Sequence, residues 1–283
     1  MATNNTYKFL MTVVVPTYNE ERNILPCLRS FDSAVAAGWC ECLVVDNSST
    51  DKTVALAKQG GAKVFHQAPE RSAQRNRGWR EASGKYVFFI DADMRVPPET
   101  VTELYEMMNS AKPPDAIFIR EIRVGNGWWI KVRNFERSFY DATCIDALRV
   151  ISRDLLQAIN GYDESLCGPE DWDLDRRILA KTDNIALTKN ALLHDEGAHN
   201  LRRHLRKKRY YSKKFDAYQK KWGWDRITRK QFGIWYRFVG VFFENGKWRR
   251  VLRHPVMMIA IWFDRTLVGF VYLLRKSDGK TSA

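Results

Sequence analysis

Apolar and polar positions alternate along the chain in short blocks of two kinds. Thr12-Val13-Val14-Val15 is β-branched and apolar and is stopped by Pro16, which predicts a buried strand followed by a turn. Apolar residues then recur at Ile24, Leu25, Leu28 and Phe31. This spacing predicts a helix with Glu20 and Glu21 in its first turn, where carboxylates suit the helix dipole, and with Gly38 as its stop. Cys42-Leu43-Val44-Val45 predicts a second strand, and Ser49 or Thr50 the cap of a helix that ends at Gly60-Gly61. Ala62 to Phe65 reads as a third strand, and Pro69 to Arg80 as a polar helix. After a turn at Gly84 come five apolar residues, Tyr86-Val87-Phe88-Phe89-Ile90, a run suited to a strand covered on both faces. Strands and helices that alternate with short joins make a parallel, doubly wound α/β sheet.

The second half continues the pattern less regularly. Pro98 to Met108 has helical spacing at Val101, Leu104, Tyr105 and Met108, with Glu99 in the first turn. Ala116 to Ile119 and Leu148 to Ile151 predict strands, and Arg153 to Ile159 a short helix. Gly125-Asn126-Gly127-Trp128-Trp129 reads as a flexible aromatic loop, where the tryptophans either stack on a ligand or belong to a core. Pro169 sets up a further helix, with Glu170 and Asp171 favoured at its start by the dipole alone. Leu192-Leu193-His194-Asp195 is another apolar strand that ends in polar groups.

A chain of 283 residues is long enough for one large domain, or for a core with an appendage. Five cysteines, without metal-finger spacing, argue against a disulfide framework or a zinc ribbon. The first ten residues hold no long apolar run, so no secretory leader is expected and the cytoplasmic side is favoured.

Charge separates the chain into two parts. From Asn200 onward there are 22 lysines and arginines against 5 acidic residues, whereas the stretch before it carries 24 against 28. The basicity therefore belongs to residues 201–283, and residues 1–200 form a separate, nearly balanced part. Such asymmetry suits a polyanionic partner.

Three loops follow strands at one edge of the predicted sheet: Pro16 to Glu20, Asp46 to Asp51, and Asp91-Ala92-Asp93. Ligands of open α/β sheets bind at that carboxyl edge, and two carboxylates there are hard ligands for Mg²⁺ or Mn²⁺. No Gly-x-Gly-x-x-Gly follows the first strand, and no Gly-Lys-Ser/Thr phosphate loop occurs. Phosphate charge would then fall to a metal at Asp91 and Asp93 and to Arg71 or Arg75. The bland reading of these arginines is a solvated helix face.

The order and spacing of Val14-Val15-Pro16-Thr17-Tyr18-Asn19-Glu20, Val44-Val45-Asp46-Asn47-Ser48-Ser49-Thr50-Asp51 and Phe89-Ile90-Asp91-Ala92-Asp93 resemble family-2 glycosyltransferases of the GT-A fold. The resemblance covers about the first 200 residues. It implies an inverting transferase that uses a nucleotide-diphosphate sugar, with UDP favoured and GDP allowed, and Mn²⁺ or Mg²⁺. It places Pro16, Thr17, Tyr18, Glu20 and Ser48 at the nucleoside pocket, and Asp46 as acceptor of a hydrogen bond from the base. Asp91 would lie near ribose and metal, Asp93 would bind the metal, and Arg71 or Arg75 would meet the diphosphate. The family commonly has a second Asp where Asn47 stands. Glu170-Asp171 resembles the family's Glu-Asp motif, which makes Asp171 the base that deprotonates the acceptor and Glu170 its support. A His beyond the last core strand completes the metal shell in several relatives. His194 is therefore the candidate third ligand, and a surface imidazole is the alternative.

Beyond Asn200 the sequence predicts a cationic helix over Leu201 to Lys221, an aromatic segment from Phe232 to Phe243, and a longer apolar segment from Pro255 to Leu274. The last has spanning length, but Asp264-Arg265 interrupts its centre, where charge is costly. This favours helices that lie in an anionic membrane interface, peripheral or monotopic. The alternative is packing on the catalytic part or a face between copies. The acceptor would then be a lipid-linked oligosaccharide or a surface-glycan precursor, with a polyprenyl phosphate as the variant. A nucleic-acid-binding protein would leave the three acidic loops unexplained, so no nucleic acid is expected.

Overall fold

Period-two alternation divides each central strand between two cores, one on either face of a sheet. A computed structural model describes residues 7–67, 69–195 and 215–278. Eight strands, β1 (Phe9–Thr17), β2 (Cys40–Asp46), β3 (Lys63–His66), β4 (Gly84–Phe89), β5 (Met94–Arg95), β6 (Ala116–Val124), β7 (Leu148–Ser152) and β8 (Ile185–Asp195), form one sheet in the order β3-β2-β1-β4-β7-β6-β8-β5. Val13, Val15, Val44, Phe88 and Ile90 join Leu28, Phe31 and Leu104 on one face. Val14, Leu43, Val45, Val87 and Phe89 join Trp79, Leu156 and Leu174 on the other.

The expected parallel pairing holds for β1 to β4. Past β4 the sheet is antiparallel, because β4 pairs with β7, β7 with β6, and β5 with β8. Antiparallel neighbours need no crossover connection over the sheet, unlike the parallel pairs of the first half.

Helices depart from the sequence reading in three places. The predicted helix after β1 is two short ones, α1 (Ile24–Arg29) and α2 (Asp32–Ala36). Glu20 and Glu21 precede α1, and the Glu20 carbonyl accepts from the amides of Asn23 and Ile24, both at 2.9 Å. Neither Ser49 nor Thr50 caps α3 (Thr53–Gln59); the Asp51 carboxylate accepts from the Thr53 amide at 2.9 Å instead. The helices α4 (Arg71–Glu81) and α5 (Pro98–Met108) follow. Trp128 and Trp129 open a helix, α6 (Trp128–Arg137), rather than lying in a loop. The chain then forms α7 (Arg153–Ile159) and α8 (Glu170–Leu179).

The chain divides into two compact units: the first holds the described residues of 1–122, 147–164 and 173–195, the second those of 123–146, 165–172 and 196–283. The second unit thus draws on three stretches, not on the C-terminal one alone. In its core, Val132 and Phe139 meet Tyr236, Phe242, Met258 and Ile261. The cationic run from Arg202 to Lys214, with His199 and His204, lies outside the described residues. Its continuation is the helix Phe215–Trp222.

The charges that interrupt the apolar C-terminal helix Pro255–Asp278 are buried. Arg265 donates to Glu136 Oε1 through Nε and Nη2, both at 3.0 Å, while Arg133 meets Glu136 Oε2 at 3.0 Å and Asp264 at 3.7 Å. Burial opposes ionisation of Glu136, but Arg133 and Arg265 hold its carboxyl well below the usual range. Removing one partner of such a pair leaves a buried charge poorly compensated. Arg265→Met is accordingly expected to lower stability by about 3 kcal/mol, the low end for a buried pair because Arg133 stays in place. The readout is the urea midpoint, and a loss under about 1 kcal/mol would mean that Arg133 alone suffices. Among the described residues, no helix is long and apolar enough to cross a membrane.

Candidate functional site

Helix α4 lies low on the sheet because Gly78 has no side chain: a Cβ there would stand 2.2 Å from Val14 Cγ1. One turn earlier, buried Gln74 reaches the ends of two strands, and its Nε2 donates to the carbonyls of Thr17 at 3.0 Å and Val45 at 2.7 Å. The start of α4 is thereby fixed against the carboxyl edge of β1 and β2.

The first two loops at that edge are laced together. Thr17 donates to Asp46 Oδ1 at 2.9 Å, and the Ser49 amide donates to Asp46 Oδ2 at 2.8 Å. Asn19, in the left-handed region at φ 55°, donates through its amide to Ser49 at 2.8 Å and accepts from the Thr50 amide at 2.9 Å. The Glu20 amide donates to Thr53 Oγ1 at 2.7 Å. Pro16 and Thr17 are buried, whereas Tyr18 and Ser48 are exposed. Asp46 is fully buried and its carboxylate braces the two loops. A base hydrogen bond to Asp46 would have to compete with these internal donors.

The third loop carries the charge. Asp91 pairs with Arg75 Nη2 at 3.2 Å and with Arg149 at 4.0 Å. Burial works against its ionisation, yet Arg71, Arg75 and Arg149 hold its carboxyl well below the usual carboxylate range. Arg75 is 1% exposed and stacks over Tyr162 at 5.2 Å. It braces Asp91 from within, whereas Arg71 is exposed at the first position of α4. Glu20 is half-buried beside the same carboxylates. Burial raises its pKa, Asn23 opposes the rise, and Asp93, Asp91 and Asp51 add to it.

His194 arrives through strand pairing. Met94 of β5 is in register with His194 of β8, and the Asp195 amide donates to the Asp93 carbonyl at 2.8 Å. His194 Nε2 stands 3.4 Å from Asp93 Oδ2, and Nδ1 stands 2.9 Å from Glu121 Oε1. Burial disfavours the imidazolium, but the bonds to Asp93 and Glu121 prevail and push His194 up to about 9. Glu121 also faces Arg149 at 3.5 Å.

These residues fit a divalent cation. Asp93 Oδ1 is buried and accepts no hydrogen bond, while its other oxygen faces an imidazole nitrogen. Carboxylate oxygen with imidazole suits Mn²⁺, and carboxylates with phosphate and water suit Mg²⁺. Among the described residues, no three His, Cys, Asp or Glu side chains form a closed cage. A cation here would therefore take its other ligands from phosphate and water, which is the usual habit of Mg²⁺.

Glu170 and Asp171 open α8, with Glu170 buried and Asp171 partly exposed. They belong to the second unit, whereas Asp91, Asp93 and His194 belong to the first.

Four residues here escape the sequence reading: Gln74, Glu121, Arg149 and Asn19. Arg149 carries a signal, a charge inside the apolar run Leu148 to Ile151. Glu121 carries a weaker one, at a half-buried position of the alternation that follows Ile119 in β6.

A family model described as glycosyl transferase family 2 matches residues 12–165. A dolichol-phosphate mannosyltransferase of Pyrococcus furiosus is 31% identical over 163 residues, which cover 54% of this chain and 45% of that protein. The dolichol-phosphate mannosyltransferase of Saccharomyces cerevisiae is 35% identical over 108 residues, covering 35% of this chain and 40% of that protein. The matched stretch thus spans less than half the length of either relative. Among solved structures, a mannosyltransferase of Pyrobaculum calidifontis in complex with GDP-Man and Mn²⁺ has a TM-score of 0.58 at 17% identity, covering 100% of this chain and 90% of that one. That likeness speaks for the expected GT-A fold. With more than half of the chain matched by one family model over the same residues that build the three loops, the chain belongs to glycosyl transferase family 2.

Proposed function

We propose that the protein is an inverting glycosyltransferase acting at the cytoplasmic face of an anionic membrane. It moves a sugar from a nucleotide-diphosphate sugar, UDP-linked or GDP-linked, to a hydroxyl of a lipid-linked oligosaccharide or surface-glycan precursor. The observation that carries this reading is Asp93, with one buried oxygen unpartnered and the other 3.4 Å from His194, at the carboxyl edge of parallel strands. Mn²⁺ or Mg²⁺ held by Asp93 and His194, with Asp91 close by and phosphate and water filling the shell, would stabilise the negative charge of the departing diphosphate. Arg71, exposed at the start of α4, meets the diphosphate from the side, while Arg75 and Arg149 keep Asp91 ionised. Pro16, Thr17, Tyr18, Glu20 and Ser48 line the nucleoside pocket, and Asp46 holds two of its loops in place.

Asp171 takes the proton of the acceptor hydroxyl as its oxygen attacks the anomeric carbon and the bond to the diphosphate breaks. Buried Glu170 supports it. A second reading, transfer to a polyprenyl phosphate, is favoured by the two dolichol-phosphate mannosyltransferases among the relatives. Its acceptor oxygen is already ionised and needs no base.

The test is a panel of nucleotide sugars with Mn²⁺ and Mg²⁺, read by thermal shift and by release of nucleotide diphosphate. One donor should raise the melting temperature only with metal, and its diphosphate should be released. A panel with no stabilising donor would refute the reading.

A further inference from the structure

The helix Pro255–Asp278 is turned inside out relative to an ordinary surface helix. Its charged pair faces inward: Asp264 is 5% exposed and Arg265 8%, on the same side as buried Met258 and Ile261. Its apolar residues face outward: Val256 is 66% exposed, Ile259 65%, Phe263 61% and Phe270 59%. At 3.6 residues per turn these four fall within an arc of about 60°, opposite the buried side. Chains in water do not keep such a stripe bare without a partner for it.

Cations flank the stripe. The preceding helix Trp248–Arg253 exposes Arg249 and Arg253 together with Trp248 and Leu252. Tryptophan and arginine side by side suit the headgroup level of a bilayer. A second copy of the chain fits less well, because a two-fold contact would bring the same cationic rim against itself.

We infer that the Val256-Ile259-Phe263-Phe270 stripe is the face by which the second unit lies in an anionic membrane interface. The buried Glu136-Arg133-Arg265-Asp264 cluster is what permits this orientation, since it takes the helix's two central charges off the lipid side. The inference deepens the proposed function, resting on its membrane-borne acceptor, and names the surface that meets the lipid. It differs from attachment through the cationic run alone, which needs charge but no apolar insertion.

The experiment is co-sedimentation of the full chain with vesicles of equimolar phosphatidylcholine and phosphatidylglycerol, and with phosphatidylcholine alone. The parent should bind the anionic vesicles and bind the neutral ones weakly. An Ile259→Ser/Phe263→Ser double variant should bind anionic vesicles at least about tenfold more weakly, from the lost insertion of two apolar side chains. Both substituted positions are exposed, so its thermal unfolding should match the parent's. Parent-like vesicle binding by the double variant would overturn the inference, as would equal binding of the parent to neutral vesicles. A dimer in sedimentation velocity that the variant dissociates, with vesicle binding intact, would assign the face to a second copy and overturn it too. Diphosphate release from a soluble donor, unchanged in the variant, reports the transferase reading separately.

Discussion

Asp93→Ala is expected to lower release of nucleotide diphosphate by about 10³-fold or more, since loss of a metal ligand removes several kcal/mol of stabilisation from the departing charge. The two carboxylates of the loop are not equivalent. Asp91 is already faced by Arg75, Arg149 and Arg71, so most of its charge is answered by the protein. Asp93 has one oxygen buried without a donor and the other opposite His194, and more of its charge is left for a cation. Titration of Mn²⁺ followed by electron paramagnetic resonance should show the affinity falling in step with turnover. An Asp93→Ala protein that bound Mn²⁺ like the parent would remove Asp93 from the ligand set, whatever its activity.

The second large effect belongs to Asp171. With a hydroxyl acceptor, Asp171→Asn should lower kcat by about 10²- to 10⁴-fold, the usual contribution of a positioned base. The KM for the donor should change little, because the amide removes a proton acceptor and not a donor contact. With a polyprenyl-phosphate acceptor the same change should cost less than about tenfold, since no proton has to leave the attacking oxygen. One variant assayed with both acceptors therefore decides between the two readings. Glu170→Gln serves as the companion: a buried support should weaken activity without mimicking loss of the base.

Much of the first unit is legible from local pattern. Pro98 and the spacing of Val101, Leu104 and Met108 give α5 its observed bounds, and α7 also matches. The strands leading to Pro16, Asp46 and Asp91 are apolar on both faces, so their runs announce themselves. What the pattern hides is long-range pairing. The antiparallel turn past β4 depends on partners dozens of residues away, and β8 extends from Ile185 although its apolar end alone marks it as a strand. Buried polar side chains are hidden for the same reason. Nothing near Gln74 in the sequence shows that it meets the carbonyls of Thr17 and Val45, and nothing near Glu121 points to His194. The charges at Asp264-Arg265 read only as an obstacle to a spanning helix, and their burial against Glu136, on another helix, is visible only in the fold.

The reach of Gln74 has an electrostatic consequence for the whole edge. Where parallel strands end, the last carbonyl oxygens run out of strand partners, and each carries partial negative charge. An anion approaching such an edge meets dipoles of the wrong sign in a setting that water screens poorly. By donating to Thr17 and Val45 together, one amide nitrogen answers two of those oxygens at once. The neutral side chain does this without adding a further cation to an edge that already holds Arg71 and Arg75. The ends of β1 and β2 thus present fewer bare acceptors to an approaching anion, while exposed Arg71 stands at the start of the helix that Gln74 anchors.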